Sequence, residues 1–384
     1  MYKRQAWKSP EAGEAAAAKE VHLRIAYGVH GYGRGHAMRA LAVLPELGRR
    51  HEVLVLAGGD AYQALCADRP VVRIPTFRYH YNRRGRLSNL LNLRRNIGGV
   101  LDVRLQGPAL DMVMETLVEF RPDVVLTDSE ALTHRAAERL GIPRISFDHF
   151  GLLVYCRPEM PAADRLVCRG NALAYRWLFG EPDRVIVSSF FDAPAVRPGV
   201  CVVGPVMRRE VRQTEPRDGE HLLVYLSMGE HEYTPQIERA LLAAGCPVRV
   251  YGTPRRGLQG NLQFKPTANL PFIEDLAGCR AVFATTGNQL MGEALYFGKP
   301  VLGMPIACLE QRLNARQIER LGAGMQVDRR RVSPEVLREF LERGPEFRRR
   351  ILRRTRDGAR ESLEAIERFA SELAGAPAAA AATA

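Results

Sequence analysis

Residues 23–49 read LRIAYGVHGYGRGHAMRALAVLPELGR, and this stretch decides the fold class. The apolar run at residues 23–27 predicts a buried β-strand, and the longer amphipathic stretch at residues 37–49 predicts a helix. Four glycines lie between the two, and they permit a tight turn from strand to helix. A strand, a glycine-rich turn and a helix in this order predict one unit of a parallel α/β sheet.

The same alternation continues along the chain and is interrupted once. Residues 205–220 are polar and highly charged, as expected of a linker between domains, and the alternation restarts after them. The sequence therefore predicts two doubly wound, Rossmann-like α/β domains, residues 21–204 and 221–372, that face each other across a cleft, with flexible ends at 1–20 and 373–384. Further strands are predicted at residues 53–56, 71–74, 124–126, 144–146, 185–187, 222–226, 248–251, 281–284 and 301–303, and helices at 110–120, 131–140, 234–243, 289–297 and 310–321.

Composition excludes several classes of protein. The chain has 384 residues, of which 46% are apolar and 26% charged, which is the balance of a soluble globular protein. No apolar run approaches the roughly 18 residues that cross a bilayer, and the N-terminus has no secretory apolar region, so a cytoplasmic location is expected. Seven cysteines without a C-x-x-C pair predict reduced thiols rather than a zinc or disulfide framework. The net charge of +12 suits an anionic partner without identifying it.

Histidines and a carboxylate at strand ends are candidates for acid–base chemistry. His36 begins the helix after the first predicted strand, and Asp128 follows the apolar run at residues 124–126. Parallel strands bring their carboxyl ends to one edge, where a carboxylate can orient an imidazole that takes a proton. His149, at the end of a later strand, is the competing base. The glycines of this turn could instead belong to a dinucleotide-binding site that includes Asp60. Against this interpretation, His36 stands where the third glycine of G-x-G-x-x-G is needed.

A second constellation lies at residues 284–300, which read ATTGNQLMGEALYFGKP. A strand ends there in small hydroxylated residues and Gly287, and a helix begins at once. Free N–H groups and the helix dipole then favour an anion such as a diphosphate. Glu293 on this helix suits the vicinal hydroxyls of a ribose, and Glu310 with Gln311 in the next unit suits sugar hydroxyls.

These motifs resemble those of the GT-B nucleoside-diphosphate-sugar glycosyltransferases, a group that includes natural-product transferases, UDP-glycosyltransferases and the N-acetylglucosaminyltransferase of the peptidoglycan precursor. The resemblance rests on G-x-G-H-x-x-R at residues 33–39, on Val203-Gly204-Pro205, and on residues 285–302 with E-Q-R-L-N-A at 310–315. It implies a GT-B fold and an inverting transfer of a sugar from a UDP-linked donor to an acceptor hydroxyl. It also implies that the first domain binds the acceptor and the second the nucleotide sugar.

Carried over by position, the resemblance implies that His36 is the general base and Asp128 its partner. The first helix turn after Gly287 can stabilise the leaving diphosphate, and no D-x-D triplet occurs, so neither a metal nor another cofactor is expected. The implied donor-binding residues are Ser227, Gly229, Phe272, Ile273, Thr286, Gly287, Asn288, Gln289, Glu293, Glu310 and Gln311. The residues expected to bind the acceptor are Gly33, Gly35, Arg83, Arg84 and His149.

A basic stretch at residues 77–106 carries seven arginines against one acid, Asp102, with leucines three or four positions apart. Such a pattern suits a helix on an anionic membrane surface, or a surface for a phosphorylated or lipid-linked acceptor. It is equally typical of a solvated helix with an ordinary apolar face. A membrane-bound helix or a lipid-linked acceptor would place the protein at the periphery of the inner membrane face. An ordinary solvated helix would leave a small-molecule acceptor as the expectation.

Three other functions are compatible with parts of the pattern. A nucleotide-sugar epimerase on the same scaffold would need several acid–base groups around the sugar and no separate acceptor. A catalytically silent protein would bind the nucleotide sugar without transferring it. A nucleic-acid-binding protein would explain the charge, but the sequence contains neither a recognisable reading helix nor a stacking motif, so no nucleic-acid partner is expected.

Overall fold

The computed structural model describes residues 22–78, 89–227, 229–266, 268–351 and 357–375. The first half forms a seven-stranded sheet in which each pair of neighbouring strands is parallel. Its elements are β1 (Arg24–Val29), α1 (Arg34–Arg50), β2 (Glu52–Ala57), α2 (Gly59–Leu65), β3 (Val72–Arg73), α3 (Asn89–Leu105), α4 (Pro108–Phe120), β4 (Val124–Asp128), α5 (Ala131–Arg139), β5 (Arg144–Asp148), α6 (Gly151–Tyr155), α7 (Ala162–Phe179), β6 (Arg184–Ser188) and β7 (Val200–Val203). The strand order is β3-β2-β1-β4-β5-β6-β7.

The second half forms another seven-stranded sheet, in the order β10-β11-β9-β8-β12-β13-β14, in which the β10–β11 pair is antiparallel. Its elements are α8 (Arg209–Gln213), β8 (Leu222–Tyr225), α9 (Pro235–Leu242), β9 (Val248–Tyr251), β10 (Gly257–Gln259), β11 (Leu262–Phe264), α10 (Asn269–Ala277), β12 (Ala281–Ala284), α11 (Asn288–Tyr296), β13 (Val301–Gly303), α12 (Leu309–Arg320), β14 (Gly324–Gln326), α13 (Pro334–Glu342), α14 (Gly344–Arg350) and α15 (Gly358–Ala374). Two parallel, Rossmann-like α/β units confirm the predicted fold class.

The central strands of both sheets are buried on both faces, which explains their continuous apolar runs. All five residues of β4 and all four of β12 are buried. The register pairs Val29 of β1 with Asp128 of β4, so the glycine turn after β1 and the carboxylate at the end of β4 lie at one edge of the first sheet. None of the helices in the described ranges is long and apolar enough to cross a membrane.

The C-terminal helix α15 returns to the first sheet. Its Ile366, Phe369 and Ala370 belong to the same buried cluster as Ile25 of β1. The sequence pattern placed residues 221–372 together in the second half, whereas the apolar face of α15 is buried against the first. The chain therefore crosses between the two halves twice.

The first part of the predicted linker, residues 205–211, is largely packed, whereas most of residues 212–220 are exposed. Val206, Met207 and Val211 are fully buried. Gly292 of α11 lies so close to this segment that an added Cβ would be 2.6 Å from Cβ of Pro205. The linker therefore lies directly on α11, which follows the Gly287 turn.

Candidate active site

An imidazole, a carboxylate and a guanidinium meet at the carboxyl edge of the first sheet. Asp128 is the last residue of β4, and its Oδ1 lies 2.6 Å from Nδ1 of His36 in the first turn of α1. Arg39, three residues further along α1, donates from Nε to Oδ2 of Asp128 over 2.8 Å and from Nη2 to Oδ1 over 2.7 Å. The structure thus brings the predicted base and its predicted partner together and adds an arginine to them.

Asp128 is an ionised carboxylate that holds His36 in one orientation. Burial alone would raise the pKa of Asp128, but the Arg39 guanidinium and the His36 ring together hold that pKa below its ordinary value. Burial alone would lower the pKa of Arg39, but the adjacent Asp128 carboxylate raises that pKa by more than burial lowers it. The pKa of Arg39 therefore lies above its ordinary value, and Arg39 stays charged. An ionised carboxylate only accepts hydrogen bonds, which places the ring proton of His36 on Nδ1 and leaves Nε2 basic. The His36 side chain is 25% exposed, whereas Asp128 and Arg39 are buried, so a substrate can reach only the imidazole.

His30 and the glycine turn support His36. The imidazole rings of His30 and His36 meet edge to face, with centroids 5.1 Å apart. Burial, and to a smaller extent the nearby His36, lower the pKa of His30 to about 3, so His30 is neutral.

The turn after β1 is held by a hydrogen bond to Asp60. Gly33 has a φ of +83°, and its N–H donates to Oδ2 of Asp60 over 3.1 Å. Asp60 therefore accepts a hydrogen bond from the turn itself, which favours a structural role over binding of a dinucleotide ribose. An added Cβ at Gly33 or Gly35 would meet no atom within 4 Å, so the turn borders open space.

The second sheet presents a helix start with free amides. β12 ends at Ala284, and α11 begins at Asn288 after a three-residue turn. No side chain within the described part of the chain caps α11, and an added Cβ at Gly287 would meet no atom within 4 Å. The N–H groups of the first turn and the helix dipole therefore favour an anion at this point.

Gln311 braces the turn that leads to α11. Its Oε1 accepts from the Thr286 N–H over 3.2 Å, and its backbone carbonyl accepts from the Thr286 hydroxyl over 2.7 Å. Ser227 reaches the same turn, because its N–H donates to Oγ1 of Thr285 over 3.2 Å. Gly229 follows with a φ of +56°. These predicted donor-binding residues are thus gathered at one edge of the second sheet, and several of them bond to one another.

Phe272 and Ile273 belong to the core of the second half. Phe272 is buried against Tyr225 and Tyr251, with ring centroids 5.5 and 5.0 Å apart. The side chain of Ile273 is fully buried, so any contact with a nucleoside base would have to use its backbone.

Glu293 is already bonded within the chain. Both Glu293 and Arg208 of the linker are buried. Arg208 donates from Nε to Oε1 of Glu293 over 2.9 Å and from Nη2 to Oε2 over 2.8 Å, and Gln289 Nε2 donates to Oε1 over 2.9 Å. Nη1 of Arg208 also donates to Oδ1 of Asn269 and, over 3.3 Å, to Sδ of Met38 in α1. A ribose would therefore have to share this carboxylate with Arg208.

His149 bridges the two halves. Its Nδ1 donates to the carbonyl of Ser188 over 2.8 Å, and its Nε2 lies 3.2 Å from Oδ1 of Asn314 in α12 and 3.9 Å from Oε1 of Glu310. Asn288 also crosses to the first half, because its Nδ2 donates to the carbonyl of Ser188 over 3.2 Å. Both ring nitrogens of the buried His149 have partners, which favours His36 over His149 as the base.

Part of the predicted acceptor region is outside the structural description. Arg83 and Arg84 lie in residues 79–88, which are not among the described residues. The following residues form α3, in agreement with the helix expected for the basic stretch.

Three residues of this site had no role predicted from the sequence. Arg39 could have been found, because residues three apart lie on one face of a helix and it follows His36 by three. Asn314 lies in the quoted motif E-Q-R-L-N-A, but only the structure shows that it contacts His149. Arg208 carried no signal, because it lies 85 residues from Glu293 in a segment interpreted as a linker.

Comparisons with known proteins agree with this architecture. Residues 23–345 match the model of the family described as glycosyl transferase family 1. A protein of Methanosarcina acetivorans named an uncharacterized glycosyltransferase is 25% identical over 383 residues, covering 92% of this chain and 96% of the relative. The solved structure of CalG4, the calicheamicin glycosyltransferase, has a TM-score of 0.64 at 20% identity, covering 93% of this chain and 100% of that one. MurG of Acinetobacter baumannii has a TM-score of 0.56 at 15% identity, with coverages of 91% and 100%. The chain belongs to glycosyl transferase family 1 and is a glycosyltransferase with the GT-B fold.

Proposed function

We propose that the chain transfers a sugar from a UDP-linked donor to an acceptor hydroxyl, with inversion at the anomeric carbon and without a metal ion or other cofactor. The observation that carries this proposal is the contact of Asp128 with both His36 and Arg39. It supplies a partly exposed base whose proton position is set by a buried, ionised carboxylate.

In the proposed reaction, His36 acts on the acceptor. The acceptor hydroxyl gives its proton to Nε2 of His36 while its oxygen forms a bond to the anomeric carbon. The bond from that carbon to the diphosphate oxygen breaks, and the nucleoside diphosphate leaves with the electron pair. Asp128 stabilises the imidazolium that results.

Inversion is supported by the surroundings of Asp128. A retaining displacement through a covalent intermediate needs a nucleophile that reaches the anomeric carbon. Asp128 is buried, and its oxygens are bonded to Arg39 and His36, so it is not available for this role. A single displacement by the acceptor oxygen then inverts the configuration.

The donor site proposed here is the start of α11. The departing diphosphate gains negative charge, and the free first-turn amides and dipole of α11 can stabilise it without a metal. The uridine base is proposed from the resemblance of the sequence. The acceptor, a small-molecule or lipid-linked hydroxyl compound, is proposed to enter beside the open turn at Gly33 and Gly35.

A donor panel tests this proposal. Sugars linked to UDP, dTDP, GDP and ADP are compared for their effect on thermal unfolding, since a ligand of the folded state raises its apparent stability. The UDP-linked donors should give the largest increase in Tm, in the presence of EDTA as well as without it. The product formed from an α-linked donor should carry a β-linkage by NMR. A retained configuration, or loss of transfer with EDTA, would contradict the proposal.

A further inference from the structure

Helix α7 of the first half exposes a stripe of large apolar side chains. Leu166, Leu173 and Trp177 are 73%, 67% and 53% exposed. Their spacings of seven and four place them on one face of the helix, with Gly170 between them. The buried residues of α7 are Asp164 and Tyr175, so most of the helix surface faces outward.

A second stripe lies beside it on α3. Ile97, Leu101 and Leu105 follow one another by four residues on one face, and all three are exposed. The two helices are joined by Arg104 of α3, whose guanidinium lies 4.9 Å from the ring centroid of Trp177 and donates to the Trp177 carbonyl over 3.0 Å. We call Ile97, Leu101, Leu105, Leu166, Leu173 and Trp177 the α3–α7 face.

The charge around this face is positive. Arg94 and Arg95 of α3 are exposed, as are Arg165 and Arg169 of α7. The acids of the two helices are Asp102 and Asp164. Asp164 is buried and accepts hydrogen bonds from Arg312 and Arg316 of α12, so it does not neutralise the arginines of α7. Arg176 of α7 is also exposed, but it forms an ion pair with Glu181 just beyond the end of the helix.

We propose that the α3–α7 face binds an anionic lipid bilayer. Leucine side chains and a tryptophan at this spacing can enter the boundary between headgroups and acyl chains, while flanking guanidinium groups contact lipid phosphates. Charge complementarity selects an anionic bilayer, because each arginine near such a surface is attracted to it. The inference goes beyond the transfer reaction and does not depend on the donor or the acceptor.

Vesicle co-sedimentation of the full-length chain tests this assignment. The protein should sediment with vesicles of phosphatidylcholine and phosphatidylglycerol, less so as salt is added, and not with phosphatidylcholine alone. Leu166→Gln combined with Leu173→Gln should lower the partition coefficient about tenfold. The matched control combines Leu242→Gln with Leu258→Gln, which replaces two exposed leucines of the second half and should leave binding unchanged. Arg165→Glu combined with Arg169→Glu should also lower the partition coefficient, because it reverses two charges that attract the anionic surface.

Three outcomes would overturn the assignment. The wild-type chain could stay in the supernatant with phosphatidylglycerol vesicles. The Leu166→Gln, Leu173→Gln variant could sediment as well as the wild type. Finally, light scattering could show a wild-type dimer that this variant dissociates, in which case a second copy of the chain covers the face.

Discussion

Two buried arginine–carboxylate pairs have nearly the same geometry and different surroundings. Arg39 contacts Asp128, and Arg208 contacts Glu293, in each case through Nε and Nη2 to the two carboxylate oxygens over 2.7 to 2.9 Å. The third partner differs. Asp128 bonds to the partly exposed His36, whereas Glu293 bonds to Gln289.

The difference shows that the neighbours of a buried pair decide its role. The charge of Asp128 acts outward through an imidazole that a substrate can reach, so the first pair can take part in chemistry. Arg208 and its contacts to Met38 and Asn269 tie the linker to both halves, so the second pair holds the domains together. Removing a partner should therefore lower stability in both cases, because each leaves a buried charge unpaired, but should lower activity strongly only in the first case.

The largest expected effect comes from Asp128→Asn. The amide keeps the shape, but it no longer fixes the proton of His36 on Nδ1 and leaves Arg39 as a buried cation without a counter-charge. We expect kcat to fall about 10²–10⁴-fold, no more than on loss of His36 itself, and the free energy of unfolding to fall by about 3–5 kcal/mol. Initial transfer rates and urea denaturation measure the two effects. Activity within about tenfold of the wild type would contradict the role of Asp128.

Arg208→Met should mainly affect stability. It leaves Glu293 buried without its cation, which should cost about 3 kcal/mol in the free energy of unfolding. A second change, Glu293→Leu, should recover most of that loss because it removes the unpaired charge. The control is Arg212→Met on the same linker, whose exposed side chain lies 3.7 Å from Asp357 and whose loss should cost less than about 1 kcal/mol. If urea denaturation gave the same loss in the free energy of unfolding for Arg208→Met and Arg212→Met, the buried pair would contribute no more than the exposed one, and the prediction would be contradicted.

Gly292→Ala probes how closely the linker must approach α11. An added Cβ would lie 2.6 Å from Cβ of Pro205, so we expect a loss of about 1–3 kcal/mol in the free energy of unfolding. Gly98→Ala in α3 is the matched control, because its Cβ would meet no atom within 4 Å and alanine favours a helix by about 0.5–1 kcal/mol. Opposite signs for the two variants support the close linker contact, and a stabilising Gly292→Ala would contradict it.

At neutral pH, His30→Gln should produce the smallest change of these variants, because its main effect is confined to acidic pH. The folded pKa of His30 is about 3, below its unfolded value, so the unfolded chain takes up a proton that the folded chain does not. The free energy of unfolding of the wild type should therefore fall by up to about 1 kcal/mol per pH unit as the pH falls below about 6.5. The contribution of His30 to this fall should be absent in His30→Gln. Denaturation midpoints between neutral and acidic pH measure it. Parallel pH profiles of stability for the wild type and His30→Gln would count against a neutral His30 beside His36.

Most of the fold could be predicted from the sequence because long apolar runs and glycine turns have a distinctive local pattern. The runs at residues 248–251 and 281–284 correspond to β9 and β12 without a shift. The strands β10 and β14 were missed because each contains a single apolar residue other than glycine, whereas the equally short β13 begins with two adjacent apolar residues and was predicted. The position of α15 could not be predicted either, since its apolar face is compatible with either sheet.

The site could be predicted where its residues end parallel strands or begin helices. Asp128 and the Gly287 turn were found in this way, since such positions meet at a sheet edge. Arg208 was not found, because its pairing with Glu293 depends on a chain path that local patterns do not encode. The same limit explains why the bonding of His149 to Asn314 came only from the structure.

Transfer by His36→Ala is the most direct test of the central claim, that the Nε2 nitrogen of His36 takes the acceptor proton. The variant keeps the buried Asp128–Arg39 pair and the start of α11, so the increase in Tm caused by the proposed UDP-linked donor should match that of the wild type. The account predicts that kcat then falls about 10²–10⁴-fold. Full turnover by this variant, with donor binding intact, would contradict it.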